Sequence, residues 1–136
     1  MKNLLDELKE RILFCDGAMG TMLQKVGFKS EDCPEEWNVT NKDKIKSIHK
    51  AYLDAGCDII ITNTFGANGI KLKKFNLEKK VNEFNLAGVN LAREVAGERK
   101  FIFGDIGPVG ELLEPFGDLT VKELEGAFAE QINALV

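Results

Sequence analysis

Most of the features that announce a partner class are missing from this sequence. Lysine and arginine number 18 against 22 acidic residues, and the formal net charge is -4 with both signs interspersed. With no basic stripe, nucleic acid is excluded as a partner. No apolar run approaches the ~20 residues that cross a bilayer, so a membrane span is excluded too. Met1 to Arg11 alternates charges with leucines, which is not a signal-peptide pattern. The three cysteines, Cys15, Cys33 and Cys57, are odd in number and far apart. They form no disulfide framework, and a reduced, cytoplasmic setting is expected. His49 is the only histidine, on a helix between Ile48 and Lys50. It is expected at a surface or boundary position, without chemistry. The glycines from Gly104 to Gly110 do not follow a Gly-x-Gly-x-x-Gly spacing into a helix, which disfavours a phosphate loop.

Three apolar runs that end in small and polar residues are present instead. They are Ile12-Leu13-Phe14-Cys15 before Asp16-Gly17, Ile59-Ile60-Ile61 before Thr62-Asn63-Thr64, and Phe101-Ile102-Phe103 before Gly104-Asp105. Such runs read as parallel strands buried on both faces, at about Ile12 to Cys15, Ile59 to Asn63 and Phe101 to Asp105. Helical spacing separates them. Leu4, Leu5 and Leu8 share a face in the first segment, and Ile45, Ile48 and Tyr52 in the next, where Thr40 and Asp43 suggest a capping box and Gly56 a stop. Val81, Phe84, Gly88, Leu91 and Val95 line a third helix closed by Gly97. Leu124, Phe128, Ile132 and Leu135 follow the capping-box pair Thr120 and Glu123. The segment from Gly27 to Asn41 fits neither period, and Trp37 is expected to anchor it over the barrel.

Strand followed by helix, three times, predicts an α/β fold with parallel strands and right-handed crossovers. Three strands apolar on both faces would leave two bare edges, which closure into a barrel removes. The expectation is the N-terminal portion, about three βα units, of a (β/α)8 barrel.

Loops after the strand carboxyl ends build the ligand site of such folds. Asp16, Asn63, Thr64 and Asp105 therefore converge on one rim. Asp16 is either a turn cap or a carboxylate for a substrate ammonium. Gly17, Ala18, Met19 and Gly20 form a tight turn or let backbone amides approach a carboxylate. Asn63 and Thr64 satisfy a strand end or bind ligand. Phe65 is core or pocket wall. Asp105, with Gly107 just after it, braces loops or touches substrate. Cys15 reads as a small buried residue, Cys33 as exposed, and Lys71, Lys73, Lys74, Lys79 and Lys80 as a solvated face.

The stretches Asp16-Gly17-Ala18-Met19-Gly20-Thr21, Thr62-Asn63-Thr64-Phe65-Gly66-Ala67 and Gly104-Asp105-Ile106-Gly107-Pro108 resemble the first three strand-end motifs of the homocysteine S-methyltransferase family. Cys33-Pro34-Glu35-Glu36-Trp37-Asn38 and Lys71-Leu72-Lys73-Lys74 resemble its intervening text. Within the family the likeness is nearest to the N-terminal homocysteine-binding module of the cobalamin-dependent methionine synthases. The resemblance implies a barrel over residues 1–136 and beyond that binds homocysteine. In the family a zinc ion, held by later cysteine motifs, makes homocysteine a thiolate that attacks a donor methyl group. Neither zinc motif exists here, so no metal ligand is expected in this chain, and the chain alone is expected to be inactive. Asp16 to Gly20, Asn63 to Phe65, Asp105 and Gly107 become its share of the homocysteine site. The remainder of the barrel, and folate- and cobalamin-binding domains carrying methyltetrahydrofolate and cobalamin, are the implied partners. The alternative is a non-catalytic α/β binding module for an amino-acid-like ligand.

Overall fold

The computed structural model describes residues 3–136. Two paired strands, β1 (Ile59–Ile61) and β2 (Phe101–Phe103), run parallel in the register Ile59 to Phe101. A single parallel bridge joins Cys15 to Ile59 on the other side of β1. The three expected strands thus lie side by side in one direction, in chain order. The first is reduced to that one bridge. Ile12 and Phe14 remain 78% and 65% exposed, because among the described residues only β1 flanks this segment. β2 is likewise paired on one side, and Phe103 stays exposed. The expectation of burial on both faces holds only for the centre of the sheet.

Asp58 anchors the amino end of that first segment. Its Oδ2 accepts the Phe14 N–H at 3.1 Å, and its Oδ1 pairs with Arg11 at 3.1 Å. The Arg11 guanidinium holds the Asp58 carboxyl below its ordinary range. Helix α1 (Leu4–Glu10) precedes it and buries none of its residues, so the leucine face read from the sequence meets no core here.

The core sits between β1 and two long helices, α4 (Lys42–Asp54) and α6 (Val81–Ala96). Ile45 and Ile48 of α4 pack with Leu91 of α6, Trp37, and Leu23 of α2 (Met19–Lys25). Ile60 of β1 packs with Cys57 and Ala92. Each fully buried isoleucine of this set contributes about 1.5–3 kcal/mol. Gly56 follows α4 at φ 99°, the left-handed backbone expected of a helix stop. The last helix, α7 (Val121–Leu135), begins with the capping box of Thr120 and Glu123. It packs on α6 and buries Ala127 and Gln131, whereas Ile132 is exposed.

Several local expectations need correction. Residues 27–41 are not irregular throughout, since α3 (Trp37–Thr40) forms within them and buries Trp37 and Asn38. Thr40 does not cap α4. It lies inside α3, its hydroxyl donating to Glu36 O, and Asn41 precedes α4 without a side-chain cap. His49 is fully buried with neither ring nitrogen partnered, and burial lowers its pKa to about 4. Cys15 is exposed and Cys33 buried, the reverse of expectation. Cys33 goes inside because its thiol has an acceptor there, Glu35 Oε2 at 3.4 Å.

Candidate functional site

The loop after β1 is fixed from several sides. Thr64 Oγ1 donates to Asp105 O at 2.8 Å, and the Asp105 N–H donates to Thr62 Oγ1 at 3.0 Å. The Thr62 and Thr64 hydroxyls stand 2.6 Å apart. Because the Thr64 proton is already committed, Thr62 is the donor of that pair and the three bonds close a ring. The ring welds the carboxyl end of β1 to that of β2. Gln131 adds a brace from α7, its Nε2 donating to Thr64 O at 2.7 Å.

Asn63 turns the other way. Its Nδ2 donates to Pro34 O at 2.7 Å, tying residues 33–38 to the strand end. Glu35, nearly fully buried, completes the link. Its Oε1 accepts the Gly66 N–H at 2.6 Å while its Oε2 accepts the Cys33 thiol. Burial first, and the Glu35 charge second, push the Cys33 thiol up to about 12. Cys33 therefore stays a protonated donor.

These links enclose a cavity of about 400 Å3 on the carboxyl side of the sheet. Met19 and Gly20 of α2 form one wall and Phe65 another, and Asn63, Glu35 and Asp105 also line it. Gly107 must lack a side chain here. A Cβ would stand 2.6 Å from both the Phe65 ring and its carbonyl, which accepts the Gly107 N–H at 2.9 Å. Lys71, on α5 (Gly69–Leu72), lies with its Nζ 4.8 Å above the Phe65 ring. It is half-buried and so leaves the solvated face to which the sequence assigned it.

The expected site residues thus divide. Met19, Gly20, Asn63, Phe65 and Asp105 share the cavity, with Gly107 directly behind Phe65. Thr64 is fully buried in the hydroxyl ring. Asp16 and Gly17 line a separate cavity of about 460 Å3 beside Tyr52 and Cys57. Ala18 precedes α2 and accepts the Tyr52 hydroxyl at 3.0 Å. Asp16 Oδ2 accepts the Ile61 N–H at 3.0 Å, whereas its Oδ1 is buried without a partner. Burial, and then the nearby Asp105 charge, raise the Asp16 pKa; burial raises that of Asp105. The Asp105 charge disfavours that of Asp16, which a nearby cation would relieve.

Sequence reading missed Glu35, Asn38, Lys71 and Gln131. The available signal was the quoted Pro-Glu-Glu-Trp-Asn stretch, but neither charge nor period marks which of its residues turns inward.

Residues 13–136 match the homocysteine S-methyltransferase family model. The chain belongs to the homocysteine S-methyltransferase family. It is 33% identical over 140 residues to the methionine synthases of Mycobacterium leprae and Mycobacterium tuberculosis. It spans 12% of their length, with 94% of this chain covered. The homocysteine methyltransferase MmuM from Escherichia coli, in its metallated form, superposes with a TM-score of 0.77 at 23% identity. That match takes in 97% of this chain and 52% of the other and shows a shared fold.

Membership in the homocysteine S-methyltransferase family raises the question of a metal, and the residues here do not fit one. Among the described residues no three His, Cys, Asp or Glu side chains converge as a ligand set. Cys33 donates its proton to Glu35, and Cys57 is buried with its thiol pushed up by burial. Neither thiol is poised as the thiolate that zinc requires. No helix among the described residues is long and apolar enough to cross a membrane.

Proposed function

We propose that this chain forms the amino-acid-binding part of a homocysteine S-methyltransferase, as the first three βα units of a (β/α)8 barrel. The cavity at the carboxyl side of the sheet carries the reading. It combines carboxylate and amide groups with an apolar wall in a chain of this family. Asp105 supplies negative charge for the homocysteine ammonium and Asn63 offers polar contact. Asp16, in the adjoining cavity with its Oδ1 unpartnered and within reach of the Asp105 charge, adds a second carboxylate from the neighbouring side. Met19 and Phe65 match the two methylenes that lead to sulfur. Gly17, Ala18, Gly20, Thr64 and Gly107 shape the rim around them.

In methyl transfer the homocysteine sulfur bonds to the donor methyl carbon as that carbon leaves its carrier, and the thiol proton departs. A free thiol is largely protonated at neutral pH, so the sulfur needs activation. No described residue supplies it. Zinc ligands, and the domains for methyltetrahydrofolate and cobalamin, are assigned to polypeptide outside residues 1–136. Three free thiols suit a cytoplasmic setting.

Calorimetric titration of the chain with L-homocysteine tests the reading. Saturable binding is expected, with no methionine formed when a methyl donor is added. Absence of saturable binding at millimolar homocysteine overturns it.

A further inference from the structure

We infer that Lys71 reads the carboxylate of the ligand in this cavity and so sets its preference for an acid over an amine; the inference deepens the homocysteine reading and rests on it. Lys71 differs from its neighbours in the basic stretch. Lys73 and Lys74 are exposed, and Lys74 is consumed by Glu111 at 2.9 Å. Lys71 turns inward instead, and among the described residues it forms no ion pair.

Three features hold its ammonium over the cavity. Its backbone N–H is fixed by Asn68 Oδ1 at 2.9 Å, which sets where the side chain leaves α5. Its stem lies along Gly66, where an added Cβ would meet Lys71 Cδ at 3.3 Å and Glu35 Oε1 at 2.7 Å. Its Nζ then rests over the Phe65 ring, whose negative face attracts a cation. The ring cannot retreat, because Gly107 packs behind it.

No ion pair joins this ammonium to the nearby carboxylate of Glu35, whose oxygens are oriented instead by the Gly66 N–H and the Cys33 thiol. The cavity therefore combines an apolar wall with a lysine and an aspartate, Lys71 and Asp105, neither of which forms an ion pair among the described residues. An α-amino acid with an apolar side chain carries the complementary charges. A half-buried ammonium pairs with a carboxylate through charge-assisted hydrogen bonds, stronger than neutral ones.

The test is calorimetric titration of the 136-residue chain with three thiols under reducing conditions. They are L-homocysteine, its deaminated analogue γ-mercaptobutyrate and its decarboxylated analogue homocysteamine. Wild type is expected to favour the two acids. Lys71→Gln should weaken both acids by roughly ten- to a hundredfold and leave homocysteamine within twofold. Lys71→Arg should retain most of the preference, and Lys73→Gln all of it. Parallel losses for all three ligands would make Lys71 merely structural, and an unchanged ratio or no binding by any of them would also overturn the inference. If γ-mercaptobutyrate binds in a Lys71-dependent manner while homocysteine does not, the carboxylate site stands and the homocysteine reading falls.

Discussion

Asn38 and Asn63 hold each other reciprocally across 25 residues of sequence. Asn38 Nδ2 donates to Asn63 O at 2.8 Å, and Asn63 Nδ2 donates to Asn38 Oδ1 at 3.0 Å. Asn38 Nδ2 also donates to Phe84 O at 3.1 Å, so one amide ties α3, the end of β1 and α6 together. Removing it takes a donor from the Asn63 and Phe84 carbonyls and an acceptor from the Asn63 amide, which keeps Pro34 O. Asn38→Ala should lose about 2–4 kcal/mol of stability, read from urea denaturation. A loss under about 0.5 kcal/mol, the scale of a surface substitution, would show that the pair is incidental.

Gly88 makes this junction possible. A Cβ there would stand 2.7 Å from Thr64 Cγ2 and 2.9 Å from Asn38 Nδ2, both on fully buried residues. Helix propensity favours Gly88→Ala by about 1 kcal/mol, but overpacking costs about 1–3 kcal/mol. Net destabilisation is expected. Gly126 of α7 has nothing within 4 Å of its added Cβ, so Gly126→Ala should gain about 0.5–1 kcal/mol. Thermal melts of the two variants should move in opposite directions.

His49 makes stability depend on pH. Its folded pKa, about 4, lies below the ordinary 6.5, so the unfolded chain binds the proton more readily between those values. Its contribution is present above pH 6.5 and is lost as pH falls towards 4. The full loss is about 3 kcal/mol. Asp16 and Asp105 act oppositely, since their raised values favour the folded state on protonation. Comparing wild type with His49→Leu across this range isolates the histidine. Parallel stability curves would remove it as the cause.

Asp16 separates binding from bracing. Asp16→Asn can still accept the Ile61 N–H, so the link between strand segments should survive while the charge goes. Homocysteine affinity should fall by roughly ten- to a hundredfold with the melting temperature nearly unchanged. Asp16→Ala should lower stability as well, by about 1–3 kcal/mol, since it strands a backbone amide. Unaltered affinity in Asp16→Asn would take Asp16 out of the site.

What could be read from the sequence was what repeats locally. The helical faces of Ile45 and Ile48, of Val81, Phe84 and Leu91, and the Thr120–Glu123 cap are all fixed within a few residues, and they form as spaced. The Ile59–Ile61 run was equally plain. The rim was legible as a place, because strand ends locate it. Its inner wiring was not. Glu35, Asn38 and Gln131 are buried by partners 25 to 67 residues away, and no periodicity encodes such pairings. His49 misled for a related reason, since an imidazole without partners in a core follows no polar pattern.

The Gln131 brace also sets an order of assembly. Thr64 O receives its amide across 67 residues, from a helix that ends at Leu135. Synthesis proceeds from the N-terminus, so both strands, α4 and α6 are made before that amide exists. The nascent rim loop must wait with its carbonyl open to water, and pairing across such a separation is slow to close. The Thr64 loop is therefore braced only after residue 131 is made, and any pause in translation before that point lengthens the time in which it stands unbraced.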